Sequence, residues 1–220
     1  MQKSACIAVI PTSWSWQACF KCLQDMFFFW LRQLRRVHRS LDIESVKTLV
    51  HAFVTSGVDY CNSVLSSTPR KVMDMLQHVQ NVAARLVTRT RKYERGLSRL
   101  MHDDLHWLVI PQRVQYKLAV TVHGCLRHRA PWYLADCCVP VSEVPGRQNL
   151  WSARCHQLSV SRVRHSNFGT RTFSVAGPTV RNSLSDHLRD PAVDSEQCKQ
   201  DLRRICSPDI RNVSILEVLM

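Results

Sequence analysis

No run of about 18 consecutive apolar residues occurs in this chain, so the sequence predicts no transmembrane helix. Pro11, Ser13, Ser15 and Gln17 interrupt the mildly apolar N-terminus, which therefore makes a poor signal peptide. From these two absences we expect a nuclear or cytoplasmic protein that is not secreted and has no membrane partner.

Motifs that bind cofactors or activate nucleophiles are also missing. Neither GxxxxGK[ST] nor GxGxxG occurs, and no Ser–His–Asp or Cys–His signature stands out. Cys19 and Cys22 form a CxxC, but a structural zinc site needs a second close pair of ligands, and none has that spacing. The ten cysteines are irregularly spaced, and Cys137 and Cys138 are adjacent, which favours reduced thiols over a disulfide framework. The sequence therefore predicts no cofactor and no metal.

Positive charge is what the chain does have, and it is unevenly distributed. The formal net charge is +13. Residues 31–130 hold 17 Lys and Arg against 7 Asp and Glu, whereas residues 131–220 hold 11 against 9. An anionic polymer is the natural partner of such a basic region, although solubility alone is an alternative explanation.

Helical periodicity dominates the first part of the chain. Ser40 and Asp42 are suited to begin a helix, which is either continuous or broken at Gly57. Pro69 and Pro111 suit the starts of two later helices. The apolar positions expected to face a core are Val46, Leu49, Val50, Phe53 and Val54, then Val72, Leu76, Val79, Ala83 and Leu86, then Val114, Leu118, Val122 and Cys125.

The pattern changes after Ala130. Residues 156–163 and 172–175 alternate as strands do, and Gly177-Pro178 is expected to break the second strand before a short helix. Residues 194–206 form a last amphipathic helical pattern. We therefore expect a mainly α fold, with a helical bundle followed by a small irregular α+β C-terminal part.

Several motifs together resemble one family. They are "LRQLRRVHRSLDIESVKTLVHAFVTSGVDYCNSVL", "VQNVAARLVTRTRKYERGLSRLMHDDLHWLVIPQRVQYKL" and "RTFSVAGPTVRNSLSDHLRDP". This region resembles the C-terminal part of the reverse transcriptase of LINE-type, non-LTR retrotransposons of the jockey and chicken-repeat kind. The resemblance implies a thumb-like helical bundle at 27–129, a C-terminal extension at 130–206, an unrelated and disordered start at 1–26 and a tail at 207–220.

The resemblance also implies that the chain is not an enzyme. The catalytic palm of that family lies upstream of the region resembled here. Asp103-Asp104 has the residue types of a metal-binding pair, but it stands in "HDDLHWL", where the family has a non-catalytic "HDELHWL". We expect these two aspartates to cap a helix end or to pair with Arg99 or Arg113.

Basic residues beside aromatics are the candidate site. Arginine binds phosphates in a forked geometry, and an exposed aromatic ring can stack on an unpaired base. In the resembled family the thumb grips the template–primer duplex through its backbone. The candidate nucleic-acid-binding residues form two groups, Arg32, Arg35, Arg36 and Arg39 near Trp30, and Arg85, Arg89, Arg91, Lys92, Arg95 and Arg99 around Tyr93.

These observations lead to one functional hypothesis and two alternatives. The hypothesis is a truncated relic of the reverse transcriptase, without its palm, that binds RNA or an RNA–DNA duplex weakly and regardless of sequence. The first alternative is a scaffold for protein–protein interactions that reuses the helical bundle. The second is a translated remnant without a function. The oligomeric state is left open.

Overall fold

The computed structural model describes residues 16–60, 62–163 and 169–206. The expectation of a mainly α fold is confirmed. The expectations for residues 1–15 and for the tail at 207–220 lie outside the described residues. The principal helices are α1 (Trp16–Val37), α2 (Ile43–Val50), α3 (Ser56–Asp59), α4 (Asn62–Leu65), α5 (Arg70–Thr88), α6 (Leu97–Asp103), α7 (Ile110–Leu126), α8 (Trp132–Ala135), α9 (Trp151–Arg154), α10 (Phe173–Asn182), α11 (Asp186–Arg189) and α12 (Ser195–Cys206).

The chain divides into two compact units. Among the described residues, the first unit contains those up to Gly57 together with Arg70–Leu97, and the second contains those of Val58–Pro69 together with those from Ser98 to Cys206. Residues 27–129, for which the sequence suggested one bundle, are thus shared between both units. Residues 16–26 differ from the expected disorder, because they form the first half of α1.

In the first unit, α1 packs against α2 and α5. Phe27, Leu31 and Leu34 recur at helical spacing on α1, and all three are buried. Asp42 caps α2 as expected, because its carboxylate accepts a hydrogen bond from the backbone N–H of Ser45 at 3.0 Å. These contacts fix where the end of α1 lies relative to the helices that follow it.

The helix that begins with α2 does not break at Gly57. A π-helical turn at His51–Thr55 follows α2, and the chain then remains helical through Gly57. A Cβ at Gly57 would lie 2.7 Å from Cε1 of buried Phe27, so the glycine permits this close approach. The turn also places Phe53 against Trp30, with ring centroids 4.5 Å apart and nearly parallel.

In the second unit, α7 is the central helix. Its predicted inward residues, Val114, Leu118, Val122 and Cys125, are all buried. Pro111 lies in its first turn, where a missing N–H costs nothing. Helices α4, α8, α10 and α12 all pack against α7.

The expected strands are wrong for the described residues. Residues 156–163 make only an isolated bridge between Pro140 and Leu158. The side-chain amide of Asn182 takes the place of a neighbouring strand, since its Oδ1 accepts from the Leu158 N–H at 2.8 Å and its Nδ2 donates to the Leu158 carbonyl at 2.9 Å. With these backbone groups already satisfied, a longer ladder is not needed.

Residues 172–175 also differ from the sequence prediction, because they begin α10 and not a strand. Thr172 is the N-cap, and its carbonyl accepts from the N–H groups of Val175 and Ala176. Gly177-Pro178 therefore lies inside the helix. Both residues are buried, and packing of α10 on α7 has overridden the local tendency of a Gly-Pro pair to end a regular element.

Candidate nucleic-acid interface

The first basic group lies at the C-terminal end of α1. Arg32, Arg35 and Arg36 are exposed on the side of the helix that does not carry its buried apolar residues, and Arg39 is exposed in the turn after it. The same 3.6-residue periodicity that buries Leu31 and Leu34 therefore places these guanidinium groups in solvent.

The second basic group begins at the C-terminal end of α5. Arg85 is half-buried, and its Nε is buried with no hydrogen-bond partner. Arg89 follows the last residue of α5 and has a left-handed backbone conformation with a φ of 56°. Residues other than glycine and asparagine seldom adopt this backbone conformation, so the position stores backbone strain. Such strain is often found at functional positions.

The two groups lie at the same end of the first unit. The rings of Phe28 and His78 are 5.7 Å apart, and beyond the C-terminal ends of both helices Nη2 of Arg89 donates to the carbonyl of Leu41 at 3.3 Å. Helices α1 and α5 therefore run in the same direction, and their C-terminal ends are neighbours. Residues separated by about 50 positions in the sequence form one basic surface, which we call the arginine end.

The loop after α5 extends this surface. Glu94 accepts a hydrogen bond from the backbone N–H of Arg91 at 3.1 Å, and its own N–H donates to the Arg91 carbonyl at 3.2 Å. The carboxylate of Glu94 thus holds the turn together. The turn exposes Lys92 and Tyr93 at its tip, with the ammonium 5.3 Å from the centroid of the ring.

The basic side chains of the arginine end form no ion pair in the described part of the chain. No described carboxylate lies within 4.0 Å of the side-chain nitrogens of its basic residues, which are Arg32, Arg35, Arg36, Arg39, Arg85, Arg89, Arg91, Lys92 and Arg95. The described residues of the first unit carry 13 Lys and Arg against 5 Asp and Glu, a net of +8. Those of the second carry 14 against 10, a net of +4. The excess of positive charge is therefore concentrated in the first unit.

Helix-dipole stabilisation explains only part of this surface. A basic residue in the last turn of a helix gains about 0.3–1 kcal/mol from the partial negative charge there. This accounts for Arg35 and Arg36 in α1 and for Arg85 in α5. It does not account for Arg91 and Lys92, which lie in the loop beyond α5 and outside any last turn.

Arg99 is the one candidate that the structure separates from the others. It belongs to the second unit, and its Nε donates to Oδ2 of Asp103 at 3.0 Å. The expected pairing of the aspartate pair with Arg99 is therefore confirmed for Asp103. Arg113 was the other suggested partner, but it binds Asp59 instead.

Other kinds of site are not evident in the described residues. Those residues contain no group of three or more His, Cys, Asp or Glu side chains arranged to hold a metal ion. No helix among them is both long and apolar enough to cross a bilayer. The cysteines whose side chains are described, Cys22, Cys125, Cys137, Cys138, Cys155, Cys198 and Cys206, are all free thiols.

Comparisons with protein-family models, with curated proteins and with solved structures each found no match to this chain. The geometry of the arginine end is therefore the basis on which a function can be argued.

Proposed function

We propose that the arginine end binds the phosphate backbone of RNA or DNA without regard to sequence. The observation that carries the proposal is the convergence of two arginine groups at one end of the first unit, with no ion pair between them and a described carboxylate. Guanidinium groups in solvent can each release a counterion from a phosphate. Backbone contacts of this kind give affinity but carry no sequence information.

The resemblance to LINE-type reverse transcriptases supports the same proposal. In that family the thumb follows the palm and holds the template–primer duplex by its backbone. We propose that the first unit is related to such a thumb and that this chain is a non-enzymatic relic which keeps the gripping surface. A remnant that no longer binds would have the same origin, and the binding experiment separates the two.

The test measures the affinity of the full 220-residue chain for single-stranded RNA and for a DNA duplex at increasing salt. We expect affinity to fall steeply with salt, by roughly one unit of logarithmic slope for each phosphate contact. Replacing Arg85, Arg89, Arg91 and Lys92 with alanine should weaken the binding of both ligands and make the affinity depend less steeply on salt. A matched control replaces four exposed arginines of the second unit, Arg147, Arg154, Arg162 and Arg204.

Three results would distinguish the explanations. Equal losses in both fourfold variants would mean that net charge alone drives binding and that the arginine end is not a site. An unchanged affinity in the first variant would mean that the group after α5 makes no phosphate contact, and would leave Arg32, Arg35, Arg36 and Arg39 as the candidates. If the folded chain bound no nucleic acid at about 50 mM salt, the lower end of the usual range, the translated remnant without a function would be the remaining explanation.

Arg89→Gly provides a variant in which lost binding cannot be attributed to unfolding. Glycine adopts the left-handed conformation at this position without strain, so the substitution should leave the folded state as stable or stabilise it by up to about 1 kcal/mol. It also removes a guanidinium of the arginine end, which hydrogen-bonds the Leu41 carbonyl two residues after Arg39. We expect weaker nucleic-acid binding together with an unchanged or raised Tm.

An interaction scaffold is the second candidate function. It is favoured by Trp132 and Tyr133, which lie edge to face in the second unit and are 76% and 57% exposed. Exposed aromatic clusters are common at binding surfaces. A scaffold of this kind would still bind its partner protein after Arg91 and Lys92 of the arginine end are both replaced with alanine. It would lose that partner in Trp132→Ala.

A further inference from the structure

The outward face of α1 continues beyond the arginine end to an exposed aromatic ring. Arg36, Arg32 and Phe29 are separated by four and three residues, which is the spacing of neighbours on one face of a helix. Phe29 is 51% exposed, whereas phenylalanine is usually buried. Because a helix rises 1.5 Å per residue, the level of Phe29 lies only about 10 Å along α1 from that of Arg36. One face of α1 therefore carries two guanidinium groups followed by a ring in solvent.

The ring of Phe29 is held in place by a second ring. It lies edge-on to Trp30, with ring centroids 5.5 Å apart and an interplanar angle of 76°. The half-buried indole of Trp30 is in turn stacked on Phe53. Phe53 belongs to the π-helical turn at His51–Thr55, and such turns occur frequently at functional sites. Phe29 is therefore the exposed member of a three-ring cluster, and Trp30 supports it from below.

The charges on this face indicate an anionic ligand. Within the described residues, neither Arg32 nor Arg36 forms an ion pair. Asp25 is exposed one turn before Phe29, so the basic part of the face ends at the ring. A ligand that matches this order has charge along its backbone and flat apolar groups beside that backbone.

Single-stranded nucleic acid has this chemistry. Its phosphates accept hydrogen bonds from guanidinium groups, and each unpaired base has a free face on which an aromatic ring can stack. A duplex has the same phosphates, but its bases are already stacked on one another. A ring beside unpaired arginines therefore favours the single strand over the duplex.

We propose that a single strand of RNA or DNA lies along α1 from the arginine end to Phe29. Its phosphates contact Arg36 and Arg32, and one unpaired base stacks on the ring of Phe29. The inference rests on the proposed backbone binding. It adds to that binding a position on α1 at which single strands are preferred.

Three DNA ligands with about 16 nucleotides per strand, the upper end of the usual site sizes, test the proposal. They are a single strand, the same strand with abasic sugars throughout, and a duplex. The abasic strand keeps every phosphate but has no base to stack. We expect Phe29→Ala to lower the affinity of the full chain for the single strand by roughly fivefold or more, the usual effect of losing one stacked base. Its affinities for the abasic strand and the duplex should not change.

Equal losses for the normal and the abasic strand would overturn the proposal, because the ring would then act only by supporting α1. Ile43→Ala is the matched control, since Ile43 is 50% exposed in the same unit but has no ring. It should leave all three affinities unchanged. A loss of single-strand affinity in Ile43→Ala as large as that in Phe29→Ala would also overturn stacking.

Two conservative variants separate stacking from a general apolar contact. Phe29→Leu keeps an apolar side chain of similar size, so the Tm should not change, but it removes the aromatic face and should lose single-strand affinity as Phe29→Ala does. Phe29→Tyr keeps the face and should retain that affinity. Full single-strand affinity in Phe29→Leu would identify the position as an apolar contact, as a partner protein would make, and would overturn the proposal.

Failure of this inference is distinguishable from failure of the proposed function. If the unmodified chain binds the duplex and the abasic strand, and Phe29→Ala binds all three ligands equally well, backbone binding stands and the strand does not stack on α1. If the unmodified chain binds none of the three ligands at low salt, both proposals fail.

Discussion

Arg113 on α7 holds Asp59 in a two-point ion pair, with Nε 2.6 Å from Oδ1 and Nη2 2.9 Å from Oδ2. The side chains are only 14% and 16% exposed, so solvent screens the pair little. Lys117, one turn further along α7, adds a second and more exposed contact at 3.1 Å. The pair joins two segments of the second unit that are 54 positions apart in sequence.

Arg113→Ala should therefore destabilise the second unit. Removing the guanidinium leaves a largely buried carboxylate with one partner, which should cost about 3 kcal/mol, as expected for breaking a buried ion pair. Lys117→Ala is the matched control, because its more exposed contact should be worth less than about 1 kcal/mol. Chemical denaturation measures both losses, and equal losses would show that the two-point geometry is unimportant.

The same pair predicts a stability that falls in acid. Burial raises the pKa of Asp59, but the hydrogen bonds and charges of Arg113 and Lys117 outweigh it and hold the pKa below the ordinary 3.8. Because the folded pKa lies below the unfolded one, the stabilisation is fully present above about pH 5 and is lost as the pH falls through the folded value. Asp59→Asn should unfold at lower denaturant concentration near neutral pH, with a shallower loss below pH 4. An unchanged acid slope would contradict this.

Gly177 sets the spacing between α10 and α7. A Cβ at this position would lie 2.9 Å from Cγ2 of Val122, a fully buried β-branched side chain that cannot easily move aside. Gly177→Ala should destabilise the chain by about 1–3 kcal/mol, and adding Val122→Ala should relieve part of the clash. Gly124→Ala on α7 is the control: its Cβ meets nothing within 4 Å, so it should stabilise by up to about 1 kcal/mol.

The sequence predicted an element correctly where residues close together in the chain determine its structure. The buried stripe of α7, the Asp42 cap and the helix start at Pro111 follow from residues within a few positions of one another. Residues 172–175 were mistaken for a strand because contact with α7, a distant element, decides their structure.

The arginine end shows the same limit. Each arginine group was recognisable in the sequence, but their meeting through Arg89 and Leu41 depends on α1 and α5 running in the same direction. Arg99 was grouped with them by sequence proximity, whereas its own helix turns it toward Asp103. Nearness in sequence therefore grouped Arg99 with residues that belong to the other unit of the fold.

We predict that the 220-residue chain does not extend a primer. Asp103 is engaged by Arg99 at the end of a short helix, and Asp104 is exposed beside it, which is not an arrangement that holds two metal ions. Primer extension with Mg²⁺ or Mn²⁺ should give no template-dependent product, and Asp103→Ala should equal the unmodified chain. Synthesis that disappears in Asp103→Ala would refute the non-enzymatic proposal.

Tyr93 should distinguish single strands from duplexes. Its side chain is 87% exposed at the tip of the loop, with Lys92 beside the ring, so an unpaired base can stack on it while a phosphate binds the ammonium. Stacking of this kind contributes about 1–3 kcal/mol per base, so Tyr93→Ala should lower the affinity for single-stranded RNA by roughly fivefold or more.

Duplex binding should change little in Tyr93→Ala, because paired bases already stack on one another and offer no free face. Tyr93→Phe keeps the ring and should retain single-strand affinity. Tyr60→Ala, which removes another tyrosine that is 72% exposed, controls for the loss of surface aromatic area. If Tyr93→Ala lowered the affinities for RNA and duplex DNA equally, the ring would only support the loop. Binding at the arginine end would then depend on its charges alone.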